Sequence, residues 1–341
     1  MNQVHLTIAV VGALFAASLR AEIYELPPEG YDVVGAVATV TAREEDALID
    51  IARRNGLGYH DIVRANPHVN IWVPGEGTEV ILPTRFVLPS GPRRGIVLNL
   101  AEYRLYYYPE PEDGGPAYVM TYPISIGRMD WDTPLGATSV ISKVTNPSWY
   151  PPQSVRDEHA ADGRPLPRIV PAGPQNPLGK YAMRLGLPGY LIHSTNRPAG
   201  VGMRVTHGCI RMFPEDIEYL FPNVGVNTPV RIINEPVKLG WFGDELVMEV
   251  HPALESSVED VDDQLVAADI DVDTGSGETI EPELQAKDPL TYVTERFIAV
   301  TDTRAGELDW GQVEELIDRS DGIPAAAGIR IKNAATSAAF Q

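Results

Sequence analysis

The rhythm of apolar and polar positions changes several times along the chain. Residues 8–17 (IAVVGALFAA) form a ten-residue uncharged apolar run, well short of the ~20 residues that span a bilayer. With the small residues that follow in Ser18-Leu19-Arg20-Ala21, the run predicts a cleaved signal peptide over 1–21 and hence export. The residues before it hold no Lys or Arg, so an uncleaved membrane anchor stays open as the alternative. Residues 22–33 read as a connector. Next, Val37–Thr41 reads as a short strand, and Ala47, Leu48, Ile51 and Ala52 recur at helical spacing before Asn55-Gly56. Tyr59–Ala65 predicts a second short helix stopped by Asn66-Pro67, and Glu79–Pro83 a closing strand.

From residue 86 the period shortens to that of strands. Ile96–Leu100 and Tyr103–Tyr108 predict a hairpin around a two-residue turn. Val119–Ile126, Tyr190–His193 and Pro229–Ile233 predict further strands. Residues 214–220 predict a helix, with Pro214 in its first turn and Ile217, Leu220 and Phe221 on its apolar face. Eight prolines between Pro147 and Pro177 argue against both helix and central strand there and predict a long ordered loop or lid. The pattern as a whole defines a mainly β domain preceded by a small β-α-α-β unit.

Composition sharpens this picture. The chain of 341 residues has room for about two domains, and its 44% apolar content supports a buried core. Its 30 prolines are near twice the usual ~5%, in keeping with strands and turns. Lys and Arg number 27 against 47 Asp and Glu, a net charge of −20; a surface so negative repels phosphate backbones and argues against nucleic acid as a partner. Much of that charge is local, because residues 254–288 carry twelve acidic side chains and one basic, Lys287. Repulsion of that density predicts a solvated acidic extension within 253–341, with apolar content returning at 289–318 and a helix at Trp310–Ile317. The Asp spacing there does not fit a calcium loop.

Candidate chemistry gathers around the single cysteine, which excludes an intramolecular disulfide and any multi-cysteine metal cage. His193 and His207 lie within sixteen residues of Cys209, and Arg211 adds a fixed positive charge. A thiol becomes a nucleophile as its thiolate, which needs a base or a cation nearby. Gly208 permits close backbone approach, so successive amides could face a developing oxyanion. These residues suit a cysteine acyl-transfer site. The same types also suit a zinc site made of His193, His207 and Cys209, or a small buried thiol beside a core histidine. Spacing does not decide which histidine is the base, since His207 at i−2 shares the cysteine's side of a strand.

Residues 95–252 resemble the catalytic domain of the L,D-transpeptidases, the YkuD-like family, in their ErfK/YbiS-type branch. The signature residues are His193, then Thr206-His207-Gly208-Cys209, then Arg211. Thr133-Pro134-Leu135-Gly136, Pro147-Ser148-Trp149-Tyr150-Pro151-Pro152, Asn176–Tyr181, Gly200-Val201-Gly202, Pro214–Glu218, Thr228–Arg231 and Asn234–Gly240 extend the likeness. Residues 34–84 are similar to a LysM module, which binds glycans containing N-acetylglucosamine, through Asp46-Ala47-Leu48, Ile51-Ala52, Ile62, Asn66-Pro67, Pro74-Gly75 and Val80–Pro83.

The resemblance implies a β-sandwich or barrel-like catalytic fold and peptidoglycan stem tetrapeptides and glycan strands as partners. It implies Cys209 as nucleophile and His193 as proton acceptor and donor. The residue after the histidine is commonly Gly, whose carbonyl orients the ring; here it is Ser194. His207 and Gly208 would shape the oxyanion pocket, Arg211 would bind a substrate carboxylate, and Thr206 replaces the commoner Ser. Trp149 and Tyr150 are candidates to line the donor cleft or else core aromatics. The implied reaction needs no metal or cofactor, and the implied compartment is the periplasm. Its acceptor would be a second stem's amine, giving 3→3 cross-links, or the C-terminal Lys of an outer-membrane lipoprotein. Membrane contact would come only through an uncleaved leader. The alternatives are an L,D-carboxypeptidase using water, a zinc hydrolase using the same residues, and a non-catalytic peptidoglycan-binding protein.

Overall fold

Strands, several of them buried on both faces, dominate the computed structural model, which describes residues 22–111, 115–128, 133–254 and 287–331. The leader over 1–21 and most of the acidic stretch, residues 255–286, lie outside the described residues. Gly95–Asn99 and Arg104–Tyr108 pair antiparallel, with Gly95 opposite Tyr108 and Asn99 opposite Arg104. The turn between them is longer than the expected two residues. It runs through Leu100–Tyr103 and ends with Tyr103 in the left-handed region at φ 53°.

This hairpin is the middle of a nine-stranded sheet. Across the sheet the strands run Glu22–Glu25, Tyr118–Pro123, Arg104–Tyr108, Gly95–Asn99, Pro229–Ile233, Gly136–Thr145, Tyr181–Leu185, Leu191–His193 and Ile210–Arg211. The sheet curls until its last strand meets the continuation of its second. The Ser125 amide donates to the Arg211 carbonyl at 2.9 Å, and the Arg211 amide returns the bond at 3.1 Å. Ile96, Leu98, Leu105, Tyr122, Ile192 and Ile210 fill the inside of the roll, with Ile217 and Leu220 of helix Pro214–Asn223 packed among them.

The small unit is where the pattern placed it. Ala38–Thr41 pairs antiparallel with Glu79–Leu82, and helices Leu48–Arg54 and Tyr59–Ala65 lie between them. It does not carry a private core. The period-two alternation sends Val97, Tyr106 and Tyr108 to the outer face of the sheet. There they join Leu48, Ile51, Ile62 and Val80 in one apolar cluster. Residues 22–33, read as a connector, open with the edge strand Glu22–Glu25, which pairs with Tyr118–Pro123. Its four residues beside Pro27-Pro28 are too short a run for alternation to register.

Two further expectations are corrected. The proline-rich stretch contains a helix, Gln153–Ala161. Its prolines flank it, Pro151 and Pro152 before and Pro165 and Pro167 after, so none sits where it would break the helical ladder. The catalytic sheet also ends at Ile233 rather than near 252. Val237–Phe242 and Glu245–Val250 form a hairpin in a separate four-stranded sheet with Gly306–Leu308 and Ala325–Arg330. Helices Pro289–Thr301 and Trp310–Arg319 cover it, burying Val293, Val313 and Leu316. The Asp309 carboxylate caps the second helix by accepting from the Gly311 and Gln312 amides.

A buried ion cluster joins the catalytic and C-terminal sheets. The Lys238 ammonium donates to Glu102 at 2.5 Å and approaches Glu249 within 2.8 Å, all three side chains being 1% exposed. Tyr106 and Asn99 donate to the Glu102 carboxylate, and the Val87 amide donates to Glu249. Nearby, Arg104 reaches Asp61 of the small unit at 2.6 Å. Removing one partner from a buried ion pair strands the other charge away from water. Lys238→Met is therefore expected to lower unfolding stability by about 3–5 kcal/mol, read as a lower denaturant midpoint; an unchanged midpoint would contradict this account of the junction.

Candidate active site

The parallel pairing of Leu191–His193 with Ile210–Arg211 builds the centre of the site. Ile192 lies opposite Ile210, His193 opposite Arg211, and the Met212 amide donates to the His193 carbonyl at 3.0 Å. Cys209 immediately precedes that strand, so the register places it opposite Leu191, on the strand that carries His193 two residues further on. The turn leading into Cys209 is pinned at three carbonyls. Thr206 Oγ1 donates to the Cys209 carbonyl at 2.6 Å. Thr133 Oγ1 donates to the Gly208 carbonyl at 3.0 Å and accepts from the Gly127 amide. The Arg128 amide donates to the Thr206 carbonyl. Gly208 has φ +97°, a conformation L side chains rarely adopt, so glycine is needed there.

His193 is 1% exposed. Its Nδ1 donates to the Ser194 carbonyl at 2.6 Å, while Nε2 is buried with no hydrogen-bond partner among the described residues. That bond fixes the tautomer and leaves Nε2 as the bare, proton-accepting nitrogen. Ser194 thus does through its backbone what the commoner Gly would do. The space above its side chain is made by Gly179, where an added Cβ would lie 2.6 Å from the Ser194 Cβ. Asn176 holds the Gly179 loop by donating to the Pro147 carbonyl and accepting from the Leu178 amide. Burial, reinforced by the Arg211 charge, pushes the His193 imidazole down to about 3.

The two histidines are now told apart. His207 Nε2 lies 2.8 Å from Glu158 Oε2, and Arg128 holds the other oxygen of that carboxylate at 2.6 Å. Burial also pushes the His207 imidazole down, to about 4. With Nε2 engaged by the Gln153–Ala161 helix, His207 ties the cysteine turn to the lid, and His193 is the imidazole left with an open ring nitrogen. Glu158 is the site residue that sequence reasoning missed. Its helix hides among prolines, and its partners are far away in sequence.

Cys209 Sγ is 3.6 Å from the Gly189 carbonyl. The sulfur is buried, and the segments on either side of it and after His193 carry buried polar side chains: Ser194, Thr195, Thr206, His207 and Arg211. Trp149 packs with Val155 and Leu178 in the lid's own apolar cluster, so it supports the lid rather than lining a cleft. Tyr150 is 66% exposed. Among the described residues, the carboxylate and imidazole groups close enough to share a metal ion are Glu102, Glu249 and His251, where the Lys238 ammonium already serves both carboxylates. The geometry does not gather His193, His207 and Cys209 into such a set.

A mainly β roll that places a buried thiol and a buried, oriented imidazole on adjacent strands suits a cysteine acyltransferase. The YkuD family, L,D-transpeptidase catalytic domain, matches residues 93–232. The chain is 36% identical over 305 residues to the probable L,D-transpeptidase ErfK/SrfK of Salmonella typhimurium, covering 88% of this chain and 89% of that one. It is 42% identical over 267 residues to the probable L,D-transpeptidase YcfS of Escherichia coli, covering 76% and 81%. It is 41% identical over 253 residues to the probable L,D-transpeptidase YbiS of the same organism, covering 73% and 80%. The chain belongs to the L,D-transpeptidase family, enzymes with a cysteine nucleophile.

A base is competent only while unprotonated, and His193 takes up a proton only near pH 3. Lowering the pH from 7 to 5 therefore leaves the base in working form, and acylation of Cys209 by a penem is expected to keep its rate over that range. Half-maximal acylation near pH 6.5, the ordinary histidine value, would contradict the burial argument.

Proposed function

We propose that the enzyme transfers the acyl group of peptidoglycan stem tetrapeptides through a Cys209 thioester. The observation that carries this reading is the buried imidazole of His193, with Nδ1 fixed by the Ser194 carbonyl and Nε2 bare. As the Cys209 sulfur attacks the carbonyl carbon joining meso-diaminopimelate to the terminal D-Ala, its proton passes to His193 Nε2. In the resting geometry the thiol faces Gly189, and the bond to the base forms in the complex, as catalytic hydrogen bonds often do. Gly208 and Cys209 amides stabilise the tetrahedral oxyanion, in a turn whose carbonyls at 206, 208 and 209 are already bonded elsewhere. The C–N bond breaks as His193 returns the proton to the departing D-Ala amine.

An acceptor amine then attacks the thioester, His193 takes its proton, and the sulfur leaves and regains it. The thioester carries the energy of the broken amide forward, so the exchange needs no nucleotide. Arg211 binds a substrate carboxylate, for which a planar guanidinium is suited. The acceptor is a second stem's diaminopimelate amine or the terminal lysine of an outer-membrane lipoprotein. Residues 34–84 hold glycan strands in the manner of a LysM module. Trp72 there is 44% exposed, raised on a turn in which Asn70 Oδ1 accepts from the Trp72 and Val73 amides. The periplasm is the compartment this substrate and the apolar leader together indicate.

Incubating the protein with tetrapeptide muropeptides, with and without a lysine-terminated lipoprotein peptide, tests the reading by product mass. The expected result is release of D-Ala and a new amide-linked product. Cys209→Ala should form none, and His193→Gln should slow the reaction by about 10²–10⁴-fold. Full turnover by Cys209→Ala would overturn the assignment.

A further inference from the structure

Small modules appended to an enzyme are ordinarily tethers, yet this one touches the nucleophile segment through its backbone. The Tyr59 amide donates to the Val201 carbonyl at 3.0 Å, and the His60 amide to the Gly202 carbonyl at 3.4 Å. Both amides belong to the first turn of helix Tyr59–Ala65, whose N-terminal N–H groups have no partner within the helix. The helix start is thus completed by the loop that runs into Arg204–Thr206 and on to Cys209.

Contact this close depends on two glycines. A Cβ on Gly58 would lie 2.7 Å from the Gly202 Cα, and a Cβ on Gly202 would lie 2.3 Å from the Tyr59 nitrogen. Either atom would force the two chains apart. Beyond the glycines, Tyr59 packs against Met203 and Val205 in a buried cluster of its own. On the far side of the cysteine, Arg53 makes a bidentate pair with Glu215 at 2.6 and 2.9 Å, in the first turn of the helix that follows Met212. The small unit therefore grips the segment carrying Cys209 both before and after the sulfur. The loop it grips is tied in turn to the sheet closure, since Ser125 Oγ donates to the Gly200 carbonyl at 2.8 Å.

We infer that Gly58, Gly202 and Tyr59 are positioning residues for the reaction, and that the small unit sets the placement of the Cys209 turn. This rests on Cys209 being the nucleophile. A unit that only held the wall would leave chemistry on a small soluble acyl donor untouched. A unit that positions the turn would change that chemistry when displaced by a few tenths of an ångström.

Gly58→Ala is the discriminating variant. Gly58 has φ −91°, which alanine adopts freely, so its penalty is steric: 2.7 Å from the Gly202 Cα, with a looser contact at 3.2 Å to the Pro123 Cβ. The readout is the rate of Cys209 acylation by a penem, followed by intact mass in the full-length protein, together with kcat and KM on tetrapeptide. Gly58→Ala is expected to unfold in a single transition, to acylate at least tenfold more slowly, and to lower kcat while KM stays within twofold. His68→Ala, on an exposed face of the same unit, should acylate at the wild-type rate. Should Gly58→Ala lose cooperative unfolding, Tyr59→Leu, which keeps an apolar side chain against Met203 and Val205, is judged by the same criteria. Wild-type acylation in whichever of the two folds overturns the inference. Absence of a Cys209 adduct in the wild-type protein would instead overturn the nucleophile assignment.

Discussion

One pair of backbone hydrogen bonds, exchanged by Ser125 and Arg211, decides whether this protein has a site at all. The pair converts an open sheet into a roll and fixes the last strand against the second. His193 and Cys209, sixteen residues apart in sequence, come onto adjacent strands because that last strand runs parallel to Leu191–His193 in a single register. A slip of one residue would turn every side chain of the pair to the opposite face. Neither the imidazole nor the sulfur would then remain at the mouth of the Gly208 turn. The hydroxyls of Thr133 and Thr206 add local bonds to that turn, but they act on a geometry the ladder has already set.

Burial does different work in the two polar centres of the molecule. At His193 it strips the ring of water and keeps it neutral, so that Nε2 holds a free lone pair at ordinary pH. At Lys238 it removes three ionisable groups from solvent together, and they are held by one another and by Tyr106, Asn99, the Val87 amide and His251. The first centre uses low polarity to tune reactivity. The second uses mutual dependence to lock the catalytic sheet to the C-terminal one. His207 shows the intermediate case, a depressed histidine whose Nε2 is spent on Glu158 and so on the placement of the lid.

Much of this was legible in the residues. The apolar periods located the hairpin, the two short helices of the small unit and the helix from Trp310, because each rests on local side-chain spacing. Cys209, His193, Gly208 and Arg211 stood out because thiol chemistry demands those types close together. What escaped notice depends on partners distant in sequence. Helix Gln153–Ala161 hides between proline pairs, and Glu158 acquires meaning only when Arg128 and His207 arrive beside it. The strand Glu22–Glu25 exists because Tyr118–Pro123 offers it an edge. The shift of 237–250 to a second sheet follows from pairing with Ala325–Arg330, across the whole acidic stretch. Trp149 could have served substrate or lid, and the contact with Val155 and Leu178 decides for the lid.

The shared apolar cluster between the small unit and the outer face of the roll has an evolutionary consequence. Val97, Tyr106, Tyr108 and Val119 would be bare if residues 34–84 were exchanged for an unrelated module. The two pieces therefore cannot be shuffled like beads on a string. Lineages in this branch should inherit them as a single block, and a change on one side of the seam should be answered by a change on the other.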